Sequence, residues 1–147
     1  MGQKIIIAND HGAIDLKQMI VAHLESRGIE VANIGVDTTD SVDYPDIAEK
    51  ACKEYLAGDY SFGIVCCGTG IGISMAANKV DGIRCALPQN IFAATMAKKH
   101  NDANFIAFGG RIEYGEDVLK MVDAFIDTDF EGGRHAYRVN KIMGLQD

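Results

Sequence analysis

The sequence predicts an α/β fold in which helices cover both faces of a five-stranded parallel sheet, with an extra helix at the C-terminal end. Two features predict it: five short apolar segments, and between them segments whose apolar residues recur at helical spacing. Strands that alternate with helices pair in parallel, and a parallel sheet is covered on both faces. No linker, repeat or low-complexity segment interrupts the alternation. We therefore expect one domain over residues 1–147, built as a three-layer α/β/α sandwich of the Rossmann-like or flavodoxin-like type.

The first elements are a helix between two strands. Residues 4–8 (KIIIA) form an apolar run that ends in the polar loop NDHG, as a buried strand does. A helix is predicted over 13–27, where leucine and isoleucine recur every four residues, and Gly28 ends it. The segment 29–35 (IEVANIG) is the second predicted strand.

The middle of the chain carries the third strand and the helices that flank it. Proline favours the first turn of a helix, so Pro45 indicates a helix over 46–57. The segment 62–67 (FGIVCC) is apolar and predicts the third strand. A glycine-rich loop then leads into a helix over 71–79.

The last part of the chain continues the same alternation. The segment 83–87 (IRCAL) predicts the fourth strand, and 104–109 (NFIAFG) predicts the fifth. Between them, a helix over 89–100 ends in basic residues, which suit the negative end of the helix dipole. Two helices follow, over 115–127 and 132–144.

Composition excludes several classes of protein. The formal net charge of -7 argues against nonspecific binding of nucleic acid. No apolar run approaches the roughly 18 residues that span a membrane, and the N-terminal run is too short for a signal peptide. The four cysteines lack the C-x-x-C spacing of a structural zinc site. We expect a cytoplasmic protein with reduced thiols and no bound metal.

The polar loops that follow three of the strands form the predicted site. In an open parallel sheet, ligands bind outside the carboxyl ends of the strands. That edge collects NDHG after the first strand, CGTGIG after the third and GGR after the fifth. Because these loops meet at one edge, we expect their side chains to lie close together.

The glycine-rich segment CCGTGIGIS is the strongest local motif. Its backbone N–H groups, next to the N-terminus of a helix, could bind an anion or an oxyanion. The spacing is G-x-G-x-G rather than the dinucleotide-binding G-x-G-x-x-G, and no P-loop lysine follows. The alternative is a tight turn between a strand and a helix that binds no ligand.

Cys67 is the last residue of the third strand, at the start of the glycine loop. Side chains alternate along a strand, so Cys66 and Cys67 face opposite ways. A thiol near a helix N-terminus has a lowered pKa, which makes Cys67 a candidate base or nucleophile. The alternative is a small buried apolar residue, which is the interpretation we favour for Cys52, Cys66 and Cys85.

Other polar residues have both functional and structural interpretations. Asp10 and His11 follow the first strand, where they could bind a ligand or stabilise a turn. His100 ends a helix, where a basic residue is favoured in any case. For His135, the sequence does not distinguish a functional role from a structural one.

Three of the five arginines suggest a site for phosphate or carboxylate. Arg111 follows the fifth strand, and Arg134 and Arg138 lie one turn apart on the last helix. Guanidinium groups bind such anions in a bidentate manner. The alternative is a solvated helix face whose arginines pair with nearby acids.

Taken in order, the segments NDHGA, DYPDIA, CGTGIGISMAANK, GIRCAL, HNDANFIAFGGR and EGGRHAYRV resemble one family. They are similar to the type B ribose-5-phosphate isomerases, in the family that also holds the allose-6-phosphate and galactose-6-phosphate isomerases. The match runs from about residue 4 to 140. The resemblance implies interconversion of ribose 5-phosphate and ribulose 5-phosphate through a cis-enediolate, without a metal or organic cofactor. It also implies a homodimer with the site at the subunit interface, or a dimer of dimers.

The resemblance also implies roles for individual residues. Cys67 would be the base that moves a proton between C2 and C1, and His100 would open the sugar ring. Thr69 and Asp10 would assist catalysis. The residues that would hold the sugar are Asp10, His11, Gly68, Thr69, Gly70, Ile71, Gly72 and Asn101. Those that would hold the phosphate are Arg111, Arg134 and Arg138.

The family has a second branch, which lacks the cysteine and uses a glutamate later in the glycine loop. Ile73 stands at that position here, so the chain resembles the cysteine branch. Two alternatives to the ribose 5-phosphate interpretation stay open. Within the cysteine branch, the substrate could be a six-carbon sugar phosphate, namely allose 6-phosphate or galactose 6-phosphate. Outside it, the chain could be a non-catalytic flavodoxin-like module that binds a nucleotide.

Overall fold

The computed structural model describes residues 2–146 and has the predicted five-stranded sheet and six helices. The strands are β1 Lys4–Asn9, β2 Glu30–Asn33, β3 Phe62–Cys67, β4 Cys85–Ala86 and β5 Phe105–Gly109. The helices are α1 Ile14–Ser26, α2 Tyr44–Ala57, α3 Ile71–Asn78, α4 Ile91–Lys99, α5 Val118–Ile126 and α6 Arg134–Gly144. No helix within 2–146 combines the length and the apolar character needed to cross a membrane.

All the strand pairs are parallel, in the order β2-β1-β3-β5-β4. β2 lies on one side of β1, and β3, β4 and β5 lie on the other side. The connections that leave β1 and β2 therefore run in opposite directions across the sheet, and the switch point lies between β1 and β3. In open α/β sheets, this reversal opens a crevice at the carboxyl edge in which ligands bind. Asn9 at the end of β1 pairs with Cys66 in β3, so the crevice opens beside Cys67.

Alternation along the strands separates the core into two layers. On one face, Ile64 and Cys66 pack with residues from α1, α4 and α5. On the other, Val65 and Cys67 pack with residues from α2 and α3. The sheet is therefore covered on both faces, which confirms the three-layer sandwich. α6 lies outside both clusters and is the extra C-terminal helix.

Caps and prolines explain where elements differ from the predicted bounds. α5 begins at Val118 rather than 115 because the Asp117 carboxylate accepts a hydrogen bond from the N–H of Leu119 and caps the helix. α2 begins at Tyr44, one residue before Pro45, which still lies in the first turn. β4 contains two residues instead of five. Before it, the N–H of Arg84 is bound by the Asn104 side chain rather than by a strand.

Candidate active site

The loops that follow β1, β3 and β5 meet at the carboxyl edge of the sheet, as predicted. The backbone N–H of Arg111 donates to the carbonyl of Gly68 at 2.9 Å, and that of Gly110 donates to Cys67 at 2.9 Å. On the other side, the N–H of Asp10 donates to the Cys66 carbonyl at 3.0 Å. These bonds hold the three loops in one layer above the strand ends.

Glycine is required where these loops cross. Gly70 has φ +78, a conformation that disfavours a side chain, and it precedes the first residue of α3. A Cβ at Gly109 would lie 2.5 Å from the backbone carbon of Thr69. A side chain at either position would separate the loop after β3 from β5. The glycines therefore allow backbone N–H groups to line the crevice.

Cys67 is the cysteine that faces this loop. It is 5% exposed, and its Sγ accepts a hydrogen bond from the N–H of Gly70 at 3.2 Å. The sulfur therefore lies beside the N-terminus of α3, which begins at the next residue. Cys66 faces the opposite layer, where complete burial raises its pKa to about 12 and keeps it a thiol at neutral pH. Burial likewise raises the pKa of Cys52 to about 12.

Asp10, His11 and Thr69 are each oriented by a backbone N–H group. Asp10 is 6% exposed, and its Oδ1 accepts from Gly12 at 2.8 Å. The Nδ1 of His11 accepts from the N–H of Val42 at 3.2 Å. The Oγ1 of Thr69 accepts from Ile71 at 3.2 Å. All three polar side chains therefore have defined positions around the crevice.

Two cavities flank the glycine loop. One, of about 300 Å³, is lined by His11, Asp37, Thr39 and Arg111, among others. The Arg111 side chain lies over Gly68, with its Nη1 3.3 Å from the position that a Cβ would take there. The other cavity, of about 320 Å³, is lined by Thr69, Ile71, Leu87 and Tyr114, among others. The arginine thus lines the first cavity, and two residues of the glycine loop line the second.

The remaining predicted site residues lie at the opposite edge of the sheet. His100 and Asn101 follow α4, which runs back toward the start of β5. Arg134 and Arg138 are exposed and lie one turn apart on α6. Because a strand advances about 3.3 Å per residue, the length of β5 separates these residues from the crevice by roughly 15 Å. One chain therefore brings the predicted residues together in two groups rather than in one.

His100 belongs to a cluster that the sequence did not predict. Its imidazole stacks on that of His135, with 4.0 Å between the ring centroids and 9° between the planes. Glu131 lies beside both rings, 3.9 Å from the Nε2 of His100 and 3.8 Å from that of His135. Burial lowers the pKa of His135, and the charge of His100 adds to this effect. Ligand atoms of His100, Glu131 and His135 all lie within 4.8 Å of one another.

Several contacting residues were missed because their role depends on tertiary structure. The Tyr114 hydroxyl oxygen accepts a hydrogen bond from the N–H of Gly109 at 2.8 Å, and its ring packs against Phe108. Glu131 precedes α6 in a loop and has no local pattern of its own. His135 carried a signal, since it stands between the two arginines of RHAYR, but its ring partner comes from α4.

Comparison with known proteins agrees with this fold. The family model described as Ribose/Galactose Isomerase matches residues 5–142. The chain is 41% identical to the ribose-5-phosphate isomerase B of Escherichia coli over 145 residues, covering 98% of this chain and 97% of that protein. It is 40% identical to a probable ribose-5-phosphate isomerase B of Mycoplasma pneumoniae over 147 residues, covering 99% and 97%.

Solved structures give the same result. The ribose-5-phosphate isomerase B of Clostridium thermocellum superposes with a TM-score of 0.93 at 47% identity, covering 98% of this chain and 97% of that one. The enzyme of the same name from Thermotoga maritima gives 0.93 at 43% identity, covering 98% and 99%. The fold described above is thus that of a known group of proteins. The chain belongs to the ribose/galactose isomerase family.

Proposed function

We propose that this protein is an aldose–ketose isomerase that interconverts ribose 5-phosphate and ribulose 5-phosphate without a metal or organic cofactor. The observation that carries the proposal is the position of Cys67. Its sulfur lies against the glycine loop and the start of α3, whereas Cys66 points into the opposite layer of the core. Membership of the family and the names of the similar proteins support the reaction.

In the proposed mechanism, Cys67 removes a proton from C2, next to the aldehyde carbon, and returns it to C1, while the hydroxyl proton of O2 passes to O1. Such a proton leaves only if the negative charge of the cis-enediolate is stabilised. One well-placed hydrogen-bond donor is worth about 3–4 kcal/mol in a transition state of this kind. The backbone N–H groups from Gly68 to Gly72 are the proposed donors, and those of Gly70 and Ile71 would exchange their bonds to Cys67 and Thr69 for the enediolate. Thr69 and Asp10 orient the sugar hydroxyls.

His100 is the proposed acid that opens the furanose ring, since only the open chain can isomerise. His100 lies at the opposite end of the strands from Cys67, so these two residues of one chain cannot contact the same substrate molecule. We therefore infer that a second copy of the chain supplies His100, Asn101, Arg134 and Arg138 to each crevice. Apolar side chains exposed on three helices support a homodimer. They are Ile71 and Met75 of α3, Phe92 of α4, and Tyr137 and Ile142 of α6.

The arginines are the proposed phosphate site. A chain of net charge -7 needs local positive charge to bind a phosphate dianion. Arg111 lines the cavity beside His11, and Arg134 with Arg138 would complete the site from the partner. The phosphate is remote from the reacting carbons, so its binding energy can align them.

All four cysteines are free thiols, which supports a reducing cytoplasmic location.

A direct assay tests the proposal: ketose formation from ribose 5-phosphate, followed in the presence of EDTA and without an added cofactor. We expect turnover by the wild-type protein and almost none by Cys67→Ala. A protein that binds nucleotides but forms no ketose would instead be the non-catalytic module. One extra carbon changes only the depth of pocket required, so single residues do not distinguish the sugars. Parallel kcat/KM values for allose 6-phosphate and galactose 6-phosphate identify the preferred one.

A further inference from the structure

Lys17 is buried without any exposed side-chain surface on the inner side of α1, where an apolar residue would be expected. A buried ammonium group is costly unless its donors are satisfied. Its Nζ donates to Asp37 Oδ1 at 2.6 Å, to the Val36 carbonyl at 3.2 Å and to Asn33 Oδ1 at 3.3 Å. Three acceptors match its three N–H groups. All of them lie at the end of β2 or in the loop that follows it.

This loop forms one wall of the cavity that His11 lines. Asp37 and Thr39 line the cavity together with His11 and Arg111. Asn9 adds a second anchor, because its Nδ2 donates both to the Val36 carbonyl at 3.0 Å and to the Asp10 carbonyl at 2.9 Å. Val36 is thus held by two buried side chains, and the start of the loop is tied to the end of β1.

Beyond these anchors the loop is held at one further point. Within residues 2–146, the segment 38–42 makes one hydrogen bond to the rest of the molecule, from the N–H of Val42 to the Nδ1 of His11 at 3.2 Å. An Nδ1 that accepts a hydrogen bond carries no proton, so the neutral ring has its proton on Nε2. The loop therefore determines which nitrogen of His11 can donate to a ligand.

We propose that Lys17 is a positioning residue: through the loop 36–42 it holds the N–H of Val42 on His11, and so keeps His11 as an Nε2–H donor to the substrate. The part that concerns substrate rests on the proposed function above. The part that concerns the tautomer does not. Removing one partner of a buried ion pair is costly when the other charge is left buried and unpaired. Asp37 is 66% exposed, so its carboxylate can be solvated when Lys17 is replaced.

The test is Lys17→Met, with Lys50→Met on the exposed face of α2 as the matched control. Nitrogen-15 NMR of the histidine rings, at a pH where they are neutral, reports which nitrogen carries the proton. We expect one Nε2–H tautomer for His11 in the wild type and in the control, and a mixture in Lys17→Met. The KM for ribose 5-phosphate should rise in proportion to the lost Nε2–H fraction, about twofold for an equal mixture of the two tautomers, with a smaller change in kcat.

Two further variants keep the test decisive. Val42→Pro removes the N–H itself from the half-buried end of the loop and should produce the same mixture of tautomers. If Lys17→Met does not fold, Asp37→Ala removes the shortest of the three hydrogen bonds that Lys17 makes and should produce the mixture in part. A wild-type His11 protonated on Nδ1, or an unchanged His11 ring in the folded variants, overturns the proposal. A wild type that shows the Nε2–H tautomer but no isomerase activity overturns the proposed function alone.

Discussion

Cys66 and Cys67 are neighbours in the sequence but face different layers of the core, and this difference predicts different results for their replacement. Cys67→Ala should lower kcat by several orders of magnitude without unfolding the protein, because it removes the proposed base. Cys66→Ala should leave kcat nearly unchanged. It should cost about 1 kcal/mol of stability, since it leaves a cavity the size of one buried atom. Steady-state kinetics and denaturant unfolding of both variants measure these effects, and equal losses of kcat would contradict the assignment.

Asp123 predicts how stability responds to acid. Burial alone would raise its pKa, but hydrogen bonds from His23 and Arg27, both at 2.7 Å, outweigh burial and lower the pKa below its ordinary value. A lowered carboxyl pKa stabilises the folded state above the unfolded pKa of about 3.9, and this stability is lost as the pH falls through the folded pKa.

The expected result is a fall in the free energy of unfolding below about pH 4 that is smaller in Asp123→Asn. Urea unfolding between neutral and acidic pH measures it, with Asp59→Asn at an exposed position as the control. If the wild type and Asp123→Asn lose stability in parallel, the contact between α1 and α5 contributes nothing to acid sensitivity. Arg27 also donates to Asp127 at 2.8 Å, so this arginine has a structural role in joining α1 to α5 and the residue that follows it.

At the scale of elements, α6 predicts the behaviour of the phosphate site. Arg134 and Arg138 are exposed at i, i+4, while His135 and Val139 face inward. Each arginine removed from a phosphate should raise KM by about tenfold or more, because charge-assisted hydrogen bonds are lost. kcat should fall less, through poorer alignment of the reacting carbons. Lys141→Ala, on the same helix, is the matched control.

Inhibition by inorganic phosphate gives an independent measurement of this site. Phosphate should compete with substrate in the wild type and in Lys141→Ala, and compete weakly in Arg134→Ala and Arg138→Ala. If both arginine variants keep the wild-type KM and phosphate inhibition, α6 is a solvated basic helix and the phosphate binds elsewhere.

The elements also show what sequence patterns can and cannot predict. The buried run Phe62–Cys67 was predicted at its observed bounds because a fully apolar strand between polar segments has one interpretation. The strand order was not predicted, since pairing of β5 between β3 and β4 depends on packing across the sheet. The shortness of β4 also escaped prediction, because Asn104 captures the preceding backbone from a distant part of the chain.

The site divides in the same way. Asp10, Cys67 and Arg111 were expected to converge because each follows a parallel strand, and that rule needs only the element order. His100 belongs to the other edge, and its neighbours Glu131 and His135 come from the loop before α6 and from α6 itself. Lys17 reads as part of an ordinary helix, and only the structure shows that its ammonium group is enclosed.

At the scale of the whole molecule, the two groups of site residues can be tested for a shared origin. If each crevice combines Cys67 of one subunit with His100 of the partner subunit, Cys67→Ala and His100→Ala are each inactive alone. In a mixed dimer of the two variants, one site contains both substitutions and the other contains neither. Unfolding an equal mixture and refolding it should then restore about a quarter of the wild-type activity, since half of the dimers are mixed and each has one intact site of two.

Each variant refolded alone is the control, and a mixture of the two without unfolding shows how fast subunits exchange. Size-exclusion chromatography with light scattering measures the mass of every sample, so that recovered activity can be assigned to dimers. A site formed within one chain cannot be rebuilt by mixing, because every subunit then carries a defect of its own. Refolded mixed dimers without activity would therefore contradict the shared site, even if the wild type is an active isomerase.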